Sequence, residues 1–223
     1  MLREMDLKEV SDGRLYTCND MVKTDCGGCE GCSSCCRGMG SSIVLDPLDI
    51  FRMENGLGVT FEELLAKNIE LNVVDGIILP NLKMSEKTDA CSFLDGEGRC
   101  SIHSFRPGIC RMFPLGRFYE NDSFRYFLQI HECPKPKKGK VKIHKWLDTP
   151  DIKKYECFIS RWHYYLKDLQ NAALANMADD TRKKLSMYIL NQFYITPYDA
   201  DDDFYSQFEN RIKKAMEDTG NLL

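Results

Sequence analysis

From Thr149 onward the apolar residues recur at helical spacing. Ile152, Tyr155, Ile159, Trp162, Leu166 and Leu169 follow one another at steps of 3, 4, 3, 4 and 3. This predicts an amphipathic helix with Thr149 as its N-cap and Pro150 at its first helical position. A second helix is expected from Asp179, Asp180 and Thr181 through Leu185, Ile189 and Phe193 to a stop before Pro197. The acids at its start suit the positive end of the helix dipole. A third opens in Asp201 to Asp203 and continues through Phe204, Phe208, Ile212 and Ala215. Three stripes of this kind predict a packed helical layer whose aromatic residues are core.

Before Thr149 the pattern is shorter and more broken. Asp46-Pro47 opens a short helix that ends at Gly56 and Gly58, and Thr60 with Glu63 forms a capping box for a helix over Phe61 to Asn68. Asp75-Gly76, between apolar pairs in Asn72 to Leu79, signals a hairpin. Cys91 to Leu94 and Arg99 to Ile102 flank Asp95-Gly96-Glu97-Gly98, a second hairpin signal. If Leu94 pairs with Arg99, then Cys91, Phe93, Cys100 and Ile102 share one face. Phe124 to His131 reads as a strand entering Cys133-Pro134.

The resulting expectation is an α+β protein, mostly helical. A cysteine-rich part over residues 1–134 carries short β-hairpins around one or more metal centres. A lysine-rich linker follows over 135–148, and helices over 149–223 pack on the first part as one compact unit. The lysines at 135, 137, 138, 140, 142 and 145 read as a solvated linker and not as a polyanion site.

Charge and composition narrow the class. The longest uncharged stretch, Leu185 to Tyr198, has 14 residues, short of the roughly 20 a membrane helix needs. Met1 to Val10 mixes acids and bases where a secretory signal would be apolar. A net charge of −4 argues against nucleic acid as a partner, and the expectation is a cytoplasmic protein whose protein or small-molecule partner the sequence does not name. The 11 cysteines change the picture most. An odd number cannot pair completely, and disulfides are rare in a reducing compartment, so metal or redox chemistry is the remaining general explanation.

Ten of the 11 cysteines lie between Cys18 and Cys133. Five fall in Cys26-Gly-Gly-Cys29-Glu-Gly-Cys32-Ser-Ser-Cys35-Cys36, where glycines let the backbone fold around an ion and aim amide N-H groups at sulfur. Cys26, Cys29, Cys32 and Cys36 have the C-x2-C-x2-C-x3-C spacing of bacterial ferredoxins, with Arg37 where those have proline. Cys29, Cys32, Cys35 and Cys36 give C-x2-C-x2-C-C instead. A second group is Cys91, Cys100, Cys110 and Cys133. Four thiolates around zinc or an oxidised four-iron core leave a negative charge, which Arg106 and Arg111 would offset as cofactor-binding residues.

These residues carry a resemblance. Cys29-x2-Cys32-x2-Cys35-Cys36, then Cys91-Ser-Phe-Leu-Asp, Gly98-Arg-Cys100-Ser-Ile-His, Arg106-Pro-Gly-Ile-Cys110-Arg-Met-Phe-Pro114 and Cys133, is similar to the YkgJ-type cysteine-cluster family. That resemblance implies zinc or iron chelation, often as iron-sulfur, over about half of the chain. One branch is similar in motif to the flagellin lysine N-methylase FliB, which implies S-adenosylmethionine-dependent protein methylation. The chain has neither a strand-linked G-x-G-x-x-G loop nor a C-x3-C-x2-C run to support that branch.

The expected ligands are Cys29, Cys32, Cys35, Cys36, Cys91, Cys100, Cys110 and Cys133, enough for two four-thiolate sites, with Cys26 as an extra candidate. His103 and His131 are expected beside the ligands and not among them. Cys18 and Cys157 read as ordinary thiols, although Cys157 lies off its helix's apolar stripe and could face a cluster. An iron-sulfur cluster of the 4Fe-4S kind, one or two of them, is the first expectation, in a redox role or an unassigned modification of a protein or small molecule. A zinc-stabilised interaction module is the alternative, and whether the chain is an enzyme stays open.

Overall fold

The computed structural model describes residues 7–25, 27, 32–135, 139–175 and 177–222; Cys26 and Cys29 lie outside them. The elements follow in order as α1 (Leu7–Val10), β1 (Met21–Asp25), α2 (Pro47–Leu57), α3 (Phe61–Lys67), β2 (Ile69–Val74), β3 (Ile77–Leu82) and α4 (Gly108–Met112). Then come β4 (Leu115–Glu120), β5 (Ser123–Leu128), β6 (Gly139–Lys142), α5 (Ile143–Leu147), α6 (Ile152–Ala175), α7 (Asp179–Leu190) and α8 (Phe204–Thr219). The fold is α+β and mostly helical. Its described strands form three antiparallel two-stranded ladders, β1 with β6, β2 with β3 and β4 with β5.

Local chemistry sets the early elements as expected. Asp46 and Asp49 cap each other's backbone N-H groups at the start of α2, Pro47 occupies its first turn, and Gly58 ends it at φ 66°. Thr60 and Glu63 make the same reciprocal cap for α3. Asp75 and Gly76, at φ 49° and 87°, form the tight turn between β2 and β3.

One continuous core runs from Ile43 to Ala215, so the helical layer and the cysteine-bearing part share their buried surface. The stripe of α6 buries Tyr155, Ile159, Trp162 and Leu169, together with Phe158 and Tyr165. Helices α6 and α7 hold the β2-β3 hairpin by its backbone. Gln170 Nε2 donates to the Val74 carbonyl at 3.1 Å, and the Ile78 N-H donates to Ser186 Oγ at 3.1 Å. The Tyr194 hydroxyl donates to the Leu45 carbonyl at 3.0 Å, just ahead of α2.

Four features depart from the sequence reading. Helix α6 begins at Ile152 and not Pro150, because Asp148 and Asp151 take positive φ of 46° and 49° and keep the intervening residues out of the helix. Leu94 pairs with Cys100 and not Arg99. The cause is Asp95 Oδ1, which accepts from the N-H groups of Glu97 and Arg99 at 3.0 and 2.8 Å and draws the loop in by one residue. The strand over Phe124 to Leu128 has a partner, β4, that the pattern did not announce. Within the lysine-rich stretch, β6 pairs with β1, and α5 buries Ile143 and Leu147 completely.

Two glycines let α2 receive the segment that carries Cys110. A Cβ on Gly56 would stand 2.6 Å from the Phe105 ring, and one on Gly108 would stand 2.6 Å from the Tyr155 hydroxyl. The N-H of Gly108 donates to Asp49 Oδ1 at 2.7 Å, so a buried carboxyl of α2 fixes the start of α4. Gly108→Ala forces that contact apart and is expected to lower unfolding stability by about 1 to 3 kcal/mol. Urea unfolding of the metal-free variant against the parent checks it, and equal midpoints would show that the site has slack.

Candidate metal centre

The backbone brings distant cysteines together. The Cys91 N-H donates to the Cys36 carbonyl at 2.8 Å, and the Gly38 N-H donates to the Asp89 carbonyl at 2.8 Å. These bonds zip the short turn over Ser34–Cys36 to the chain leaving β3. On the other side, Ser92 N-H donates to the Lys83 carbonyl at 3.0 Å, so the Cys91 strand lies between the two. The Ser101 N-H returns to the Phe93 carbonyl at 2.9 Å and sets Cys100 beside Cys91. Helix α4, anchored through Asp49, supplies Cys110.

The outcome is a cavity of about 80 Å³ lined by Cys32, Cys35, Cys36, Cys91, Cys100 and Cys110. A single water needs only ~10–15 Å³, so this room holds more than one small ligand atom. Much of the rest of the wall is apolar, including Ile43, Leu82, Phe93, Ile102 and Trp146. Cys133 lines an adjoining smaller cavity that shares Cys32, Cys35 and Trp146 with the first. Seven of the eight cysteines in the expected set therefore lie around two adjoining spaces, and the eighth, Cys29, falls outside the described residues with Cys26. Cys18 and Cys157 line a different groove, beside Glu156 and Tyr126.

Electrostatics inside the cavity oppose free thiolates. Burial pushes the Cys91, Cys100 and Cys110 thiols up, and in Cys110 the charges of Asp49, Cys91, Cys35 and Cys100 push the same way. Cys35 is raised first by its hydrogen bond with Cys36 and then by burial. Backbone N-H groups work in the opposite sense, from Phe93 on the Cys91 sulfur and from Ile102 on the Cys100 sulfur. Thiols of this kind ionise when a cation replaces the proton.

The basic residues divide. Arg106 and Arg99 line the cavity, and the Arg106 Nε is buried without a hydrogen-bond partner among the described residues. Arg106 also touches the Nε2 of His103, itself a lining residue. Arg111 is turned away from the thiols and spends its guanidinium on the carbonyls of Ser104, Arg106 at 3.1 Å and Asp148 at 3.0 Å. It holds the backbone turn that precedes α4. Arg99 was not singled out in the sequence, although it is the direct neighbour of Cys100 in a turn, the one signal that could have found it.

Among the described residues, no three Cys, His, Asp or Glu side chains are gathered tightly enough to grip one ion. The sulfurs ring a room instead of converging on a point. A donor set of thiolates nonetheless fits zinc or iron-sulfur and does not fit calcium or magnesium, which want oxygen. An α+β fold with six thiols around one cavity is thus the setting in which cysteines would hold a metal. Residues 28–135 match the CxxCxxCC family model, described as a "putative zinc- or iron-chelating domain". No curated protein and no solved structure matches the chain.

Cys32→Ser and Cys100→Ser are each expected to lower the metal-to-protein ratio of the purified protein, read by elemental analysis. An unchanged ratio in either would remove that residue from the ligand set. Because burial raises the Cys91, Cys100 and Cys110 thiols, loading the metal-free protein is expected to release protons and to weaken as pH falls. Calorimetric heats that do not depend on the buffer's ionisation enthalpy would contradict this.

Proposed function

We propose that the cysteine cavity holds an iron-sulfur cluster of 4Fe-4S size and that the protein uses it in a redox role. The observation that carries this reading is the size of the room relative to its ring of sulfur: six thiols around about 80 Å³ leave space for a polynuclear core, where one zinc ion would need four sulfurs drawn to ~2.3 Å of a single point. Four thiolates and an oxidised four-iron core carry a formal charge of −2, and Arg99 and Arg106 stand in the same wall to offset it. When bound, such a cluster supplies one-electron transfer. The chain's own residues hold and shield it: Phe93, Ile102 and Trp146 exclude water, the N-H groups of Phe93 and Ile102 donate to sulfur, and Arg111 fixes the turn between His103 and Cys110.

The role has support from composition as well. An odd set of 11 cysteines suits a reducing compartment, and we place the protein in the cytoplasm with a protein or small molecule as its electron partner. No described helix is long and apolar enough to cross a membrane.

Anaerobic purification followed by iron, acid-labile sulfide and zinc analysis, with a visible spectrum before and after dithionite, tests the reading. Iron and sulfide in equal amounts, with a broad visible band that bleaches on reduction, are expected. Colourless protein with stoichiometric zinc would replace it with a zinc-stabilised interaction module, in which the metal contributes folding energy alone.

A further inference from the structure

A second cavity, of about 280 Å³, shares α4 as a wall with the thiol cavity. Cys110 of α4 faces the thiols, while Ile109 and Met112 of the same short helix line the second space. Apolar surface from Ile159 and Trp162 of α6 completes much of its lining. Two buried nitrogen atoms in it have no hydrogen-bond partner among the described residues. The guanidinium of Arg117 donates through Nη2 to the Tyr155 hydroxyl at 2.6 Å and stands 5.4 Å from the Phe124 ring centre, yet its Nε is shut off from solvent with nothing to bond. His163 stacks flat on Tyr119, centroids 3.4 Å apart, and its Nε2 is likewise buried with no partner among the described residues.

Buried donors without partners are uncommon in folded proteins and each calls for a physical reason. Here two of them line one room with apolar walls, the arrangement expected of a small-molecule site. The charge balance favours an anion. Arg117 and Asp46 both line the cavity, and burial biases the Asp46 carboxyl toward its neutral form. Asp46 is further committed as the N-cap of α2, accepting from the Asp49 N-H at 2.9 Å. His163 is held neutral by burial and so adds an N-H without adding charge. One guanidinium N-H, one neutral imidazole and an apolar remainder match a monoanion with a hydrocarbon body better than a phosphate, which calls for more positive charge.

We propose that this cavity binds a small organic carboxylate, its oxygens taken by Arg117 Nε and His163 Nε2 and its hydrocarbon part by Ile109, Met112 and Ile159. The site does not depend on which metal the thiols hold. Calorimetric titration of the whole 223-residue chain with benzoate, and with benzamide as the uncharged counterpart, tests it. Benzoate is expected to bind saturably and benzamide at least ~10-fold more weakly, since a hydrogen bond to a charged group contributes that much discrimination. His163→Phe keeps a flat ring on Tyr119 and is expected to weaken benzoate by ~10-fold. Arg117→Gln is expected to abolish the preference for benzoate over benzamide. Because Arg117 also holds Tyr155, its variant counts only if it melts cooperatively; otherwise His163→Phe decides alone. Absence of saturable benzoate binding, equal affinity for benzamide, or an affinity unmoved in His163→Phe would each overturn the proposal.

Discussion

Crowding ionisable sulfur into a small apolar space is the constraint around which this structure is arranged. Cys35, Cys91 and Cys100 each make Cys110 harder to ionise, and Asp49 adds to the effect. Left to themselves, such groups would sooner disperse to solvent than meet. They are held by backbone bonds that do not involve sulfur: the Cys36-Cys91 and Gly38-Asp89 zipper, the Asp95 loop and the Asp49 anchor on α4. The cost of gathering the thiols is thus met by the scaffold, and a cation entering the room relieves it.

How much of this was legible depends on the range of the signal. Asp46-Pro47, Thr60-x-x-Glu63 and Asp75-Gly76 declared their caps and turn because donor and acceptor lie within a few residues. The helical stripes were legible for the same reason, each being a short period repeated. What could not be read was the second task of a residue already explained. Asp49 caps α2 from nearby and also receives the Gly108 N-H from 59 positions away. Likewise β1 and β6 are too short and too polar to announce themselves, and they become strands only by pairing Met21 with Lys142 across the chain.

The candidate site shows the same division. The cysteines could be grouped from their spacing, and the seven described ones of the expected set do surround adjoining spaces, even though Leu94 pairs one residue away from the expected register. Cys91, Phe93, Cys100 and Ile102 all reach the cavity in either register because the irregular loop does not impose the strict alternation of a long ladder. The arginines were less predictable. Arg106 and Arg111 sit in one motif, yet one faces the thiols and the other clamps backbone, a difference set by which carbonyls lie within reach after folding. Arg117 lies in β4, where nothing in the local pattern sets it apart from a solvated strand residue.

The β1-β6 ladder has a consequence for where this unit may be cut. Its strands, Met21–Asp25 and Gly139–Lys142, flank the segment 28–135 that the family model recognises, one just before it and one just after. They act as a clasp on a loop of more than a hundred residues, and closing a loop that long without them carries an entropic penalty that grows with its length. A fragment trimmed to the recognised segment would discard the clasp along with the helices that share its core, so the boundaries of likeness and the boundaries of independent folding do not coincide.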